Sequence, residues 1–413
     1  MRNKRVYSAL TPLRKKMDKK ILLLLLVLVS FVWVCSTRSP EGTLEWKGTI
    51  EYRDGIRIVN NPEEPLYGHL QLDLEKDLSL GSEEDEAYMF YRVEGLGVDS
   101  EGSIYVLDAG NHRIQKYDSE GNNLQTIGRK GQGPGELDTP YGMFLSFENI
   151  IYVHDGMKIK AFKTNGSFIQ ETTLESFTHD ISVDLNRNIW GIGRLPSEEG
   201  RTRSIIKLNK KGKLEKIIDD FPPPKVAVRS EGGRGVMFFI GHEYVPQLSF
   251  VAVDEKTLLY AYSLNYRLHL IDENGEPEMV ITTDALRSSI SQKEKDEISK
   301  KNSDYEKKWP KDVVKDAIQF PPHRPFFNKI LADNRGRIYV GRVKSVLEKS
   351  DTFEFDIFSR DGYYLYSADA PVSPELIKNG FFYRIHSEEN TGGIVIERYK
   401  INSWPAMRES LQH

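Results

Sequence analysis

The sequence predicts an all-β fold: a six-bladed β-propeller with a helical insertion between blades four and five. Three observations carry this expectation. Residues 95–127 read as four short strands separated by tight turns, within a unit of about 45 residues. A hairpin glycine recurs at Gly121, Gly166, Gly212, Gly275 and Gly362. A β-branched or apolar residue followed by an aromatic recurs, as the expected inner strand of each blade, at Ile104-Tyr105, Ile151-Tyr152, Ile189-Trp190, Leu259-Tyr260 and Ile338-Tyr339, with Ile394-Val395-Ile396 as a weaker sixth copy.

The first repeat is the most complete. Leu96 to Asp99 starts an apolar strand, and Glu101-Gly102 turns it. Ile104-Tyr105-Val106 is β-branched and aromatic, which suits a pleated, packed surface. Asp108 to Asn111 turns the chain into Arg113–Tyr117, and Ser119 to Asn122 turns it into Asn123–Ile127. The first glycine spacings are about 45 and 46 residues; the next are about 63 and 87, so two insertions interrupt a blade-sized period. Residues 219–247, with Phe221 and three prolines after it, read as a long loop. Residues 284–322 read as two helices. Ser291 and Glu294 form a capping-box pattern, and Pro310 opens a second helix through Val313, Val314, Ala317 and Ile318. Their sparse apolar positions suggest a lid over one opening, or a decoration of the rim.

The sixth repeat runs out of chain, so an N-terminal segment is expected to complete it. The hairpin around Asp54-Gly55, within residues 42–61, is the expected donor, and Leu70 to Leu74 alternates as a further strand. The propeller is therefore placed at 42–401, with 402–413 as a C-terminal tail.

Asn111-His112-Arg113-Ile114 resembles the tripeptide that names the NHL repeat. Gly131, Gly133 and Gly135, followed by Glu136-Leu137, Pro140 and Gly142, resemble the glycine-rich link between blades of that family. The resemblance covers residues 92–170 and fades to a strand rhythm later. It implies an exported bacterial six-bladed propeller with a tendency to bind partners, and no single activity.

Composition bounds the function classes. With 61 acidic and 57 basic residues in 413 and a net charge of −4, the chain lacks the basic footprint of a nucleic-acid binder. Aromatics make up 11%, which suits β-structure. The single cysteine, Cys35, excludes an intrachain disulfide. No CxxC or HExxH spacing occurs, and no cofactor or metal is expected.

Residues 1–36 read as a signal or anchor segment. A basic stretch, with the start at Met1 or Met17, precedes Ile21 to Val34, which is apolar except for Ser30. That length suits a signal core and is short for a spanning helix. Three fates stand open: lipidation at Cys35, cleavage after Ser36, or retention as an anchor. Bulky Trp33 and Val34 fit lipidation poorly. Each places the protein beyond the inner membrane, in the periplasm or anchored facing it or the cell surface.

Counting eleven residues back from the recurrent aromatics gives Glu94, Tyr141, His179, Ser249 and Asn328, with Arg384 near the same place in blade six. A ring of mixed donors and acceptors at a channel mouth is what a polar ligand needs, and it is also what any wet channel mouth carries. Seven histidines (112, 154, 179, 242, 269, 323 and 386) lie in the repeat region without sharing one blade position, which argues against a zinc site. Asp99, Asp184, Asp254 and Asp333 stand six before the aromatics, just ahead of turn residues, and read as turn-capping scaffold. The expected function is extracytoplasmic binding or scaffolding of a protein, peptide or glycan in the cell envelope. The alternative is a propeller lyase or hydrolase, with or without a metal, working at the channel mouth.

Overall fold

The computed structural model describes residues 45–197, 200–223, 227–231, 234–238, 240–388 and 392–410. Segment 1–36 and Cys35 lie outside these.

Six sheets of at least four strands form the blades of one ring, and a separate two-stranded hairpin lies in the chain between blades three and four. Blade one runs in sequence order through Val93–Val98, Ile104–Asp108, Arg113–Tyr117 and Asn123–Ile127. Blades two to six occupy 140–173, 178–221, 248–283, 327–370 and 376–401. The first strands touch in succession around the channel: Val93–Val98, Pro140–Leu145, Thr178–Val183, Leu248–Ala252, Phe327–Ala332 and Leu376–Lys378, the last meeting the first again.

This corrects the sequence reading of which strand is innermost. The aromatic strands such as Ile104–Asp108 are second strands. Every residue of Ile104–Asp108 is buried, because the strand is sandwiched on both faces between neighbouring blades. A channel strand has one wetter face and a mixed composition, so the more apolar run belongs one step out. The aromatics and aspartates lock together. Tyr105, Trp190 and Tyr339 are fully buried and donate to Asp99, Asp184 and Asp333 at 2.9, 3.0 and 3.0 Å. The same carboxylates accept turn amides, as Asp99 does from Glu101 and Ser103. These aspartates are scaffold, as expected. Asp254 departs in part: it caps Lys256 and Thr257 but otherwise pairs with Arg360.

Two glycines record how tightly blades one and two approach. A Cβ on Gly95 would lie 2.6 Å from Met143 Cβ, and one on Gly97 would lie 2.9 Å from Leu145 Cβ. At Gly121 the requirement is conformational: φ is +88°, a turn geometry costly for other residues.

The ring closes through the N-terminal region, but not with the expected hairpin. Leu74–Leu80 pairs antiparallel with Ile394–Ile401 and is the outer strand of blade six. The hairpin Thr49–Arg53 and Ile56–Asn61 lies on blade four, where Ile56–Asn61 runs parallel to Pro277–Thr283. His69–Gln71 adds a parallel edge to blade five. Burial explains the choice. Leu80 is 1% exposed among Phe90, Val98, Tyr117, Tyr383 and Ile396, whereas Thr49–Arg53 is exposed throughout. The chain therefore straps the rims of blades four, five and six before entering blade one.

Three further differences are structural. Residues 219–247, read as a loop, contain the hairpin Ala227–Glu231 and Arg234–Phe238. Among residues 402–410, expected as a tail, Trp404 and Met407 anchor in the core shared by blades five and six, with the Arg337 guanidinium 4.0 Å from the Trp404 ring centre. Two α-helices, α1 (Gln292–Lys301) and α2 (Lys311–Ala317), lie in the chain between Pro277–Thr283 and Phe327–Ala332. They share a small core in which Ile298, Val314, Ala317 and Ile318 pack with Ile240 and Tyr244. Ser291 and Glu294 form the capping box that the spacing predicts. Beneath it, Glu294 also accepts from Tyr244, Arg324 and Ser345 at 2.6, 2.8 and 2.7 Å. A pair so anchored does not have the sparse contacts of a free lid.

Candidate functional site

At one opening, where the innermost strands begin, blades two and three bring four rings together. Tyr141 lies on the first strand of blade two. His154 is at the end of the second strand, and the antiparallel register His154 to Gly142 returns it to the same end. Phe177 and His179 stand at the entrance of blade three. Tyr141 stacks on Phe177 with centroids 5.7 Å apart and planes 6° from parallel, and it lies 4.1 Å from the His154 ring. Phe177 lies 6.4 Å from His179, and the exposed Arg194 guanidinium sits 5.3 Å from the Phe177 ring centre.

Hydrogen bonding assigns the tautomer of His154. The Tyr141 hydroxyl lies 2.5 Å from His154 Nε2 and 2.9 Å from the Gly156 carbonyl. A carbonyl only accepts, so the single phenolic proton goes to Gly156 O, and His154 Nε2 carries the proton donated to Tyr141. Burial holds the imidazole down to about 4, with the neighbouring His179 lowering it further and Asp155 partly offsetting both. His154 is therefore neutral near pH 7. Burial pushes the Tyr141 phenol well above its ordinary value, so it stays protonated. Beside them, the Asp155 carboxylate accepts the amides of Asp138 and Thr139 and pairs with buried Lys160 at 2.7 Å. Asp108 does the same in blade one, accepting from Tyr91 and Arg92 and, on its other oxygen, from Asn111 and Arg113. These carboxylates fix the loops that enter the ring.

Of the residues predicted from sequence, the structure links Tyr141 and His179 through Phe177. Glu94 and Asn328 stand near the starts of their own innermost strands; Glu94 pairs with Arg92 at 3.4 Å, and Asn328 is exposed. Arg384 is a correction. It lies on the second strand of blade six, Phe381–Ser387, opposite Glu397. There Glu397 accepts from Lys76 at 2.9 Å and from the Tyr399 hydroxyl at 2.6 Å, with His386 Nε2 3.1 Å and the Arg384 guanidinium 3.8 Å away. The longer turn of blade six shifts the count that placed Arg384 in the channel. Sequence reasoning missed His154, Phe177 and Arg194. His154 was findable: a residue at the end of a second strand must come back beside the start of the first.

The opposite end of the channel opens into a cavity of about 640 Å³ lined by all six blades, chiefly by the ends of the innermost strands and the turns that follow them. Among the described residues, no group of three or more His, Cys, Asp or Glu side chains is arranged to hold a metal ion. No described helix is long and apolar enough to cross a membrane.

A sequence-family model described as a 6-bladed beta-propeller matches residues 92–226, the span of blades one to three. A search of curated protein sequences returns no match. Among solved structures, a Bacteroides fragilis protein assigned as exported superposes with a TM-score of 0.50 at 12% identity, covering 84% of this chain and 99% of its own. A Bacteroides vulgatus protein reaches 0.47 at 10% identity, covering 80% and 98%. Virginiamycin B lyase of Staphylococcus aureus reaches 0.39 at 11% identity, covering 80% and 99%. At these identities the likeness speaks to the fold.

Proposed function

We propose that this chain is an exported NHL-type propeller that binds or scaffolds a protein, peptide or glycan of the cell envelope. The helical insertion between blades four and five belongs to this reading as a fixed element of the rim. So does an N-terminal segment that carries the chain to the periplasm and, through Cys35 or the apolar stretch itself, to a membrane.

The observation that carries the reading is the half-buried Tyr141–Phe177 stack, flanked by Arg194 and His179 at a channel opening. Flat apolar rings with donors at their edges supply contact area at low entropic cost, and they suit sugar faces and peptide side chains alike. His154 serves this surface by orienting Tyr141. Held neutral and nine-tenths buried or more, it is a positioning group. The lyase or hydrolase alternative, expected at the channel mouth around Glu94, His179 and Arg384, would need His179 or His154 to face a substrate.

A photocrosslinking residue at Phe177, with a control at Tyr52, tests the reading in intact envelopes. Tyr52 is 73% exposed on the outer edge of blade four. A defined adduct from position 177, absent from position 52 and reduced by Arg194→Ala, supports it. Identical adducts from both positions, or none from 177, would sink it. For the anchor, Cys35→Ala should release the protein from the membrane fraction if the thiol is acylated; an unchanged distribution counts against lipidation.

A further inference from the structure

The second end of the channel holds a charged group that the binding face does not use. Lys378, at the end of the innermost strand of blade six, is the one cation among the described residues lining the cavity. Its ammonium lies 5.7 Å from the ring centre of Phe147, in the first turn of blade two. Blade one stands between blades six and two in the ring, so the lysine reaches past a whole blade across the cavity. Phe147 is 40% exposed despite its size.

The carboxylates around Lys378 are engaged elsewhere or stand at the rim. Asp333 gives one oxygen to the amides of Arg335 and Arg337 and the other to the Arg337 guanidinium and the Tyr339 hydroxyl. Glu375 pairs with Lys329 at 2.8 Å, and Asp180 with His179 at 3.0 Å. Glu255 is exposed at the rim. Among the described residues no carboxylate pairs with Lys378. A half-buried ammonium facing an aromatic ring inside a cavity lacks the counter-charge such a group needs.

We propose that this cavity is a binding site for a small organic carboxylate with an aromatic or bulky apolar body, its carboxylate pairing with Lys378 and its body lying against Phe147. The volume suits a ligand of that size. The walls match its two ends: Leu145 and Phe250 are apolar, while Asn149 and Asn379 offer amides near the mouth. Burial also lowers the Lys378 amine from the ordinary lysine value, with Asp333 opposing only in part, and a bound anion would raise it again. This site is separate from the Tyr141–Phe177 face, and either can fail without the other.

The test uses 2-naphthoate as probe and 2-naphthalenemethanol as its neutral control, with folding of each variant checked by circular dichroism. Saturable one-site binding of naphthoate is expected, weakened about tenfold or more by Lys378→Met and retained by Lys378→Arg. The neutral alcohol should be indifferent to both substitutions, and Arg194→Ala should leave naphthoate binding unchanged. In the unaltered protein, naphthoate should protect Lys378 from acetylation, read by mass spectrometry. Absence of saturable binding, naphthoate affinity unaffected by Lys378→Met, or Lys378 acetylated equally with and without probe would each overturn the proposal.

Discussion

Ring closure by Leu74–Leu80 makes Leu80→Ala the most informative single substitution. The side chain is 1% exposed and packs with residues of blades one and six, so its removal leaves a cavity at the junction where the circle is joined. A Leu→Ala change at such a site costs about 3–5 kcal/mol. For a chain this large the denaturation slope is about 3 kcal/mol per molar urea or steeper, so the midpoint should fall by up to about 1.7 M. Ile50→Ala is the matched control: Ile50 is 39% exposed on the outer hairpin of blade four, and its loss should cost about 0.5 kcal/mol or less. Urea unfolding followed by tryptophan fluorescence measures both. Truncation sharpens the comparison. A protein beginning at residue 62 should keep the ring, and one beginning at residue 81 should lose it, because only the second removes the partner of Ile394–Ile401. If Leu80→Ala shifts the midpoint no more than Ile50→Ala, or if both truncations fail alike, closure is not where the strand pairing places it.

Stability should decline as pH falls from about 6.5 to about 4, because unfolded His154 takes up a proton in that window and the native imidazole, held down to about 4, does not. The loss from this one group is about 3 kcal/mol at pH 4, and His154→Gln should flatten that part of the pH–stability curve. For Glu294, burial alone would raise the carboxyl, but hydrogen bonds from Tyr244, the Ser291 amide and Ser345 bring it down to about 2. Its stabilisation is therefore complete above the usual glutamate range and lost as pH falls through about 2. Glu294→Gln should speed hydrogen exchange in α1 and α2 and leave the blades unchanged; helices that stay as protected as before would refute this anchoring. Gly97→Ala should lower the melting temperature by forcing blades one and two apart, at a cost of about 1–3 kcal/mol, and an unchanged melting temperature would mean that the close approach at Leu145 is soft.

The blade rhythm was legible because its causes are local. A turn that needs φ of +88° at Gly121, or a carboxylate that caps two amides two to four residues ahead, leaves its mark in a short window. Radial order within a blade was harder to read. The count from Tyr105 back to Glu94 reached the right strand, but the aromatic strands read as the inner ones, when burial on both faces marks a strand one layer out. His154 and His179 looked unrelated because they are 25 positions apart and on different strands; antiparallel pairing returns His154 beside Gly142, and the neighbouring blade brings Phe177 to 6.2 Å from its ring. Closure depended on a comparison no local window contains, that of Leu80 with the exposed face of Thr49–Arg53 against partners more than 200 residues away. The helices read as sparsely apolar because part of their core, Ile240 and Tyr244, comes from another segment.

The strap formed by residues 49–80 sets the order of assembly. These residues are made before blade one, yet their pairing partners, Pro277–Thr283, Tyr364–Ala370 and Ile394–Ile401, follow more than 200 residues later. Blades one to three can form as meanders of neighbouring strands while the rest of the chain is still to come. The circle cannot join until Ile401 is available, and three strand edges wait unpaired in the meantime. A molecule built this way cannot join its ring until Ile394–Ile401 has emerged, so the interval before joining is when a chaperone holding the early segment, or a protease cutting it, acts on open edges.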